Sequence, residues 1–154
     1  MNLSNTNIII QEGSAKKFSF GIVKSLWNQD ITNNLYNGAY QTLLDYGAKN
    51  ENIITKEVPG SFELIYGSKQ IFKEYHLNAV IVIGSIIKGE TPHFNFIAQS
   101  VSNGIKDLNI LFDIPFVFCV LTDLNKQQAV ERSGGKYGNK GADSAVTAIH
   151  LLTN

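Results

Sequence analysis

Four short stretches carry most of the residues whose types and spacing could do chemistry. The richest is Gly84-Ser85-Ile86-Ile87-Lys88-Gly89-Glu90-Thr91-Pro92-His93. Thr91 is a natural helix N-cap, and Pro92 fits the first helical position. A helix starting there would offer free N–H groups and partial positive charge to an anion. Gly89 would let a phosphate approach the backbone closely, and His93, in the first turn, is of a type suited to moving protons near neutrality. The second stretch, Glu131-Arg132-Ser133-Gly134-Gly135-Lys136-Tyr137-Gly138-Asn139-Lys140-Gly141, sets cations among four glycines. Arginine forks suit phosphate geometry, and glycines free backbone amides for anions. The other two, Ser25-Leu26-Trp27-Asn28 and Val58-Pro59-Gly60-Ser61-Phe62-Glu63, offer aromatic faces that could stack on a heteroaromatic ring. Plainer readings stand beside these: a capped surface helix, a turning glycine loop, and aromatics buried in a core.

The elements that must position these stretches follow from hydrophobic patterning. Apolar, β-branched runs predict buried strands over Phe18 to Val23, Ile53 to Val58, Ala79 to Ile87 and Pro115 to Thr122. Between and after them run helical periodicities: Leu35, Ala39, Leu43 and Tyr46 with a stop at Gly47; Phe62, Ile65 and Phe72, widened by Leu64, Ile71 and Tyr75; Phe94, Ile97, Ala98, Val101, Ile105 and Leu108; a short Gln127 to Arg132; and Ala142, Ala145, Val146, Ile149 and Leu152. The alternation predicts an α/β fold, a four-stranded parallel sheet with helices on both faces. Each chemical stretch then follows a strand, where open parallel sheets bind ligands. The wide apolar girth of the second helix suggests subunit contact. Asn7-Ile8-Ile9-Ile10-Gln11 is short and β-prone, and could join its own sheet or a neighbour's.

Composition narrows the class. The 154 residues suit a single domain, 1–154, with residues 1–12 as an N-terminal arm, and 44% hydrophobic against 17% charged is a globular balance. Thirteen basic residues offset thirteen acidic ones, which disfavours a general nucleic-acid binder. The longest apolar stretch, Ala79 to Ile87, falls short of the ~20 residues of a membrane span. No secretory leader is visible, so a cytoplasmic location is expected. The single cysteine, Cys119, lies in an apolar run and reads as a packed small hydrophobe. No Cys/His/carboxylate group has metal-ligand spacing, and no nucleotide-binding glycine fingerprint is present, so neither metal nor cofactor is expected.

Taken in order across nearly the whole chain, Gly21-Ile22-Val23 with Trp27-Asn28, the Pro-Gly-Ser-Phe-Glu block, the Gly-x-Thr-x-His block and the Gly-Asn-Lys-Gly loop resemble the lumazine synthase family. The resemblance implies a three-layer flavodoxin-like sandwich, in which the Ile8-Ile9-Ile10 strand joins the next subunit's sheet. It implies a transferase without cofactor or metal, condensing 5-amino-6-ribitylaminouracil with 3,4-dihydroxy-2-butanone 4-phosphate in riboflavin biosynthesis. The products are 6,7-dimethyl-8-ribityllumazine, phosphate and water.

Carried over residue by residue, the resemblance places Trp27 against the pyrimidinedione ring, with Asn28 beside it. Ser61, Phe62, Glu63, Ser85, Ile86 and Ile87 hold the ribityl chain and ring edge. Gly89, Glu90 and Thr91 cradle phosphate, and His93 is the general acid-base. Phe118, Arg132 and Lys140 come from the adjacent subunit, closing the ring pocket and binding phosphate. The implied assembly is a pentamer; a pair of pentamers or a sixty-subunit icosahedral capsid stays open, and the short Gly134-to-Gly141 loop is compatible with the capsid. Riboflavin synthase is an implied protein partner. Lys88, Trp27 and Asp30 depart mildly from the family pattern. A non-catalytic flavin- or lumazine-binding module is the competing reading, and retention of Thr91, His93, Arg132 and Lys140 argues against it.

Overall fold

The computed structural model describes residues 8–154. Its elements run β1 (Phe20–Ser25), α1 (Gln29–Asp45), β2 (Ile53–Val58), α2 (Leu64–Glu74), β3 (Ala79–Ile87), α3 (His93–Leu111), β4 (Phe116–Asp123), α4 (Lys126–Arg132), β5 (Ser133–Gly135), β6 (Gly138–Asn139) and α5 (Lys140–Thr153). Four parallel strands form the main sheet in the order β2-β1-β3-β4. This is the expected α/β flavodoxin-like architecture, and the strand order reverses between β1 and β3.

Side-chain alternation along the central strands divides the core. Phe20 and Ile22 of β1 and Ala79, Ile81 and Ile83 of β3 pack with Leu35, Ala39 and Leu43 of α1 and Ala145, Ala148 and Ile149 of α5. Val23, Val80, Val82 and Ile86 point the other way, onto Leu64 and Ile71 of α2 and Val101, Ile105 and Leu108 of α3. Since β3 is covered on both faces, it reads as an apolar run broken only by Ser85 near its exit. At the edge, β2 alternates, burying its two ends while Lys56 and other polar residues meet solvent.

Packing is tightest where α5 meets α1. A Cβ on Gly141 would collide with the Leu35 carbonyl, so the two helix backbones nearly touch. Asn139 secures the same corner: its carbonyl oxygen accepts from Gly141 N at 2.8 Å and Ala142 N at 3.3 Å, while its amide donates to Asn34 O at 2.9 Å.

Element boundaries differ from the sequence expectation by one or two residues. The first and last sheet strands begin and end slightly later. The start of α3 shifts too: Pro92, rather than Thr91, is its N-cap, because the Pro92 carbonyl accepts from Asn95 N at 3.0 Å and Phe96 N at 3.4 Å. Thr91 caps nothing and stays exposed. At α4, Asn125 supplies the cap, accepting from Gln128 N at 3.0 Å. The glycine-rich segment after Arg132 is a short antiparallel hairpin, with Gly134 and Gly138 at positive φ. Of the N-terminal arm, residues 1–7 lie outside the described residues, and Ile8, Ile9 and Ile10 form no strand in this chain's sheet. Asp30, in the first turn of α1, pairs with Lys126 at 2.8 Å, and that hydrogen bond holds its carboxyl below the usual carboxylate range. Among the described residues no helix is long and apolar enough to cross a membrane.

Candidate active site

A cleft of about 600 Å³ opens at the carboxyl ends of β1, β2 and β3, where the strand order reverses. Its wall gathers Trp27, Ser61, Phe62, Glu63, Ser85, Ile86, Ile87, Gly89, Thr91 and His93, residues from three separate strand exits. Trp27 is 71% exposed and Phe62 53%, so neither ring is core, and both offer a face to a planar ligand. Ser61 and Ser85 lie at the floor; their hydroxyls are buried and, among the described residues, have no hydrogen-bond partner. Sequence reasoning missed Gly60, Phe94 and Ile97, which complete the lining. Phe94 and Ile97 were read only as the buried stripe of their helix, yet their ends reach the cleft.

One end of this cleft is the start of α3. The helix is 19 residues long, and Gly89, Thr91 and His93 line the cleft at its N-terminus. A Cβ on Gly89 would meet nothing within 4 Å, so the glycine opens the cleft rather than relieving a clash in the fold. His93 is exposed in the first turn of the helix and lines the cleft.

Two residues expected at the site sit differently. Asn28 does not line the cleft: it adopts the left-handed conformation, φ 57° and ψ 51°, at the N-cap of α1. Its side-chain amide donates to Ser85 O at 3.0 Å, tying the exit of β1 to β3. It therefore braces the cleft. Glu90 is exposed, and its side chain is not part of the lining.

Phe118, Arg132 and Lys140 lie elsewhere, in a groove of about 640 Å³ along the outer edge of β4, walled by α4 and α5. Phe118 is 42% exposed on that edge strand. Lys140 pairs with Asp143 at 2.7 Å, and Arg132 reaches Asp123 at 3.7 Å and the Gln128 carbonyl at 3.1 Å. Burial pushes the Asp123 carboxyl above the usual carboxylate range, with the Arg132 guanidinium working against it. Behind the groove, Cys119 is buried, and desolvation raises its thiol to about 11. Asp123 and Asp143 were not singled out from sequence; for Asp123, its position as the last residue of the fourth strand was the available signal.

Fold and cleft together define an α/β sheet protein with a cleft at three strand exits, edged by two exposed aromatic rings and a helix N-terminus. A sequence profile of the 6,7-dimethyl-8-ribityllumazine synthases matches residues 17–154, and the chain belongs to that family. A 6,7-dimethyl-8-ribityllumazine synthase of Flavobacterium johnsoniae is 54% identical over 138 residues, covering 90% of this chain and 73% of the relative. A synthase of the same name from Christiangramia forsetii is 50% identical, covering 90% and 83%. That of Cytophaga hutchinsonii is 44% identical over 155 residues, covering 99% and 98%.

Proposed function

We propose that the chain makes 6,7-dimethyl-8-ribityllumazine from 5-amino-6-ribitylaminouracil and 3,4-dihydroxy-2-butanone 4-phosphate, in sites completed between neighbouring subunits. The observation that carries the interface is the division of the site residues. Ring-stacking, floor and proton-transfer groups share one cleft, while Phe118, Arg132 and Lys140 lie in a separate groove on the edge strand. In a head-to-tail ring, each cleft meets the next chain's groove, and every site is then complete.

The chemistry follows from this placement. Trp27 and Phe62 sandwich the pyrimidinedione, and the Ser61 and Ser85 floor faces its polar edge. The phosphate sits at the α3 N-terminus by Gly89 and Thr91, with Arg132 and Lys140 of the adjacent chain balancing its charge. The ring amine attacks the ketone to form a carbinolamine, which loses water to an imine. Phosphate then leaves, and the ribityl-bearing nitrogen closes the second ring with loss of a second water. His93, next to the phosphate site, takes and returns the protons, a contribution of ~10²–10⁴-fold. No covalent nucleophile is required, so holding two substrates in register contributes more than proton transfer does, ~7–11 kcal/mol at its best.

The first test follows lumazine fluorescence and phosphate release together; appearance of both products, dependent on the protein, supports the synthase. Binding of lumazine or riboflavin without turnover supports a binding module instead. The interface is tested by complementation. His93→Ala and Arg132→Ala chains, each weak alone, are dissociated, mixed and reassembled; random mixing in a ring leaves about one site in four intact. No recovery in a reassembled oligomer would place the whole site within one chain. Pentamers or their multiples are the proposed assembly, read by light scattering. Riboflavin synthase, which uses the product, is the proposed partner, and the cytoplasm the proposed location.

A further inference from the structure

The Arg132 guanidinium is held on one side only. Its Nη1 donates to the Gln128 carbonyl at 3.1 Å and lies 3.7 Å from Asp123 Oδ1, and its carbon sits 5.0 Å from the centre of the Tyr137 ring. Among the described residues, Nε and Nη2 have no hydrogen-bond partner. Asp123 itself is 5% exposed, and its Oδ2 is buried and unpartnered. Its backbone is fixed independently of the pair: Asp123 is in register with Ile87, and its carbonyl accepts from Lys88 N at 2.9 Å. The carboxylate therefore sits on the sheet, while the arginine it faces sits on a seven-residue helix.

We propose that Asp123 is a positioning residue for Arg132, holding the Nη1 corner of the guanidinium so that the Nε–Nη2 edge is presented to the substrate phosphate. The inference rests on the reading of Arg132 as a phosphate ligand. A carboxylate with one oxygen buried and unpaired is a poor structural staple, because desolvation works against it. An arginine aimed at an anion, by contrast, gains from a fixed acceptor behind it, since bidentate recognition demands orientation as well as charge. Asp123 also joins two parts of the site's machinery within one chain. Its backbone is bonded to the Lys88 amide, one residue before the Gly89 turn, and its side chain faces Arg132.

The test uses the intact assembled protein and steady-state kinetics, varying each substrate in turn. Asp123→Asn keeps the shape and removes the charge. It raises KM for the phosphate-bearing substrate about tenfold, leaving kcat and KM for the ring substrate within about twofold. Asp123→Glu recovers part of the lost affinity, and the melting temperature of Asp123→Asn does not fall. An unchanged KM for the phosphate substrate overturns the proposal, as does a loss shared by kcat and both KM values with a lowered Tm. Arg132→Ala separates the two readings. If it leaves KM for the phosphate substrate unchanged, the phosphate assignment fails and the positioning role with it. If it raises that KM while Asp123→Asn does not, the positioning role alone fails.

Discussion

The cleft and the groove are built by opposite means. In the cleft, position comes from backbone: three strand ends, a helix start and the Asn28 amide clamped to Ser85 fix every group before any ligand arrives. In the groove, position comes from charge: Arg132 faces Asp123 and Lys140 faces Asp143, on a strand edge that leaves Phe118 exposed. The cleft could orient substrates by itself but lacks cations for a doubly charged phosphate. The groove has the cations but no enclosure. On the proposed function, the difference assigns orientation and charge neutralisation to different chains of the assembly.

That division is sharpest in the two kinetic variants. On the proposed function, Arg132→Ala removes the phosphate's charge-assisted partner and is expected to lower kcat/KM about 10³-fold. His93→Ala leaves the register of both substrates intact and is expected to lower kcat about 10²-fold, with residual turnover. Steady-state rates showing the reverse order would mean that the cleft supplies charge and the groove only shape.

Thiol chemistry probes the groove's inner wall. With its thiol raised to about 11 by burial, Cys119 holds little thiolate at neutral pH, so a disulfide reagent should titrate the thiol only after denaturation. Rapid labelling of the native protein would show that β4 opens. The smallest effect concerns stability. A folded-state pKa above the unfolded value means that Asp123 keeps a proton that the unfolded chain releases. Stability is therefore lost as pH rises from the ordinary carboxylate value through the raised one. Asp123→Asn should raise Tm more above the raised carboxyl range than at low pH, measured by calorimetry. Equal gains at both would assign the effect to packing. Arg132 opposes the shift from the same groove, and the Lys140–Asp143 pair lies across it.

Much of this arrangement was legible in residue types. Ala79 to Ile83 is apolar throughout because both its faces are covered, and that property survives in the sequence as an unbroken run. Trp27, Phe62 and His93 were legible because strand exits are where parallel sheets leave side chains free. The hairpin after Arg132 was not, since its two short strands pair Ser133 with Asn139 and Gly135 with Gly138 and show no apolar alternation. The Asn28 contact was hidden for a different reason. Its partner is 57 residues away, and nothing local says whether an amide serves a ligand or a backbone carbonyl. Asp123 was hidden likewise, because its meaning comes from an arginine on the following helix. The family resemblance supplied what periodicity could not: the expectation that residues of two regions act together.

The corner where Gly141 meets Leu35 limits how this protein can change. Lys140 precedes that contact directly, and the Asn139 clamp holds the turn on its other side. The location of the cation is thus inherited from two helix backbones that have no room to slide, whereas its chemical type is carried by a side chain reaching into an open groove. An exchange of Lys140 for arginine keeps the charge and a partner for Asp143 without asking the scaffold to move, whereas glutamate would set two carboxylates against each other. Divergence toward new ligands is easy at residue 140 and forbidden at residue 141.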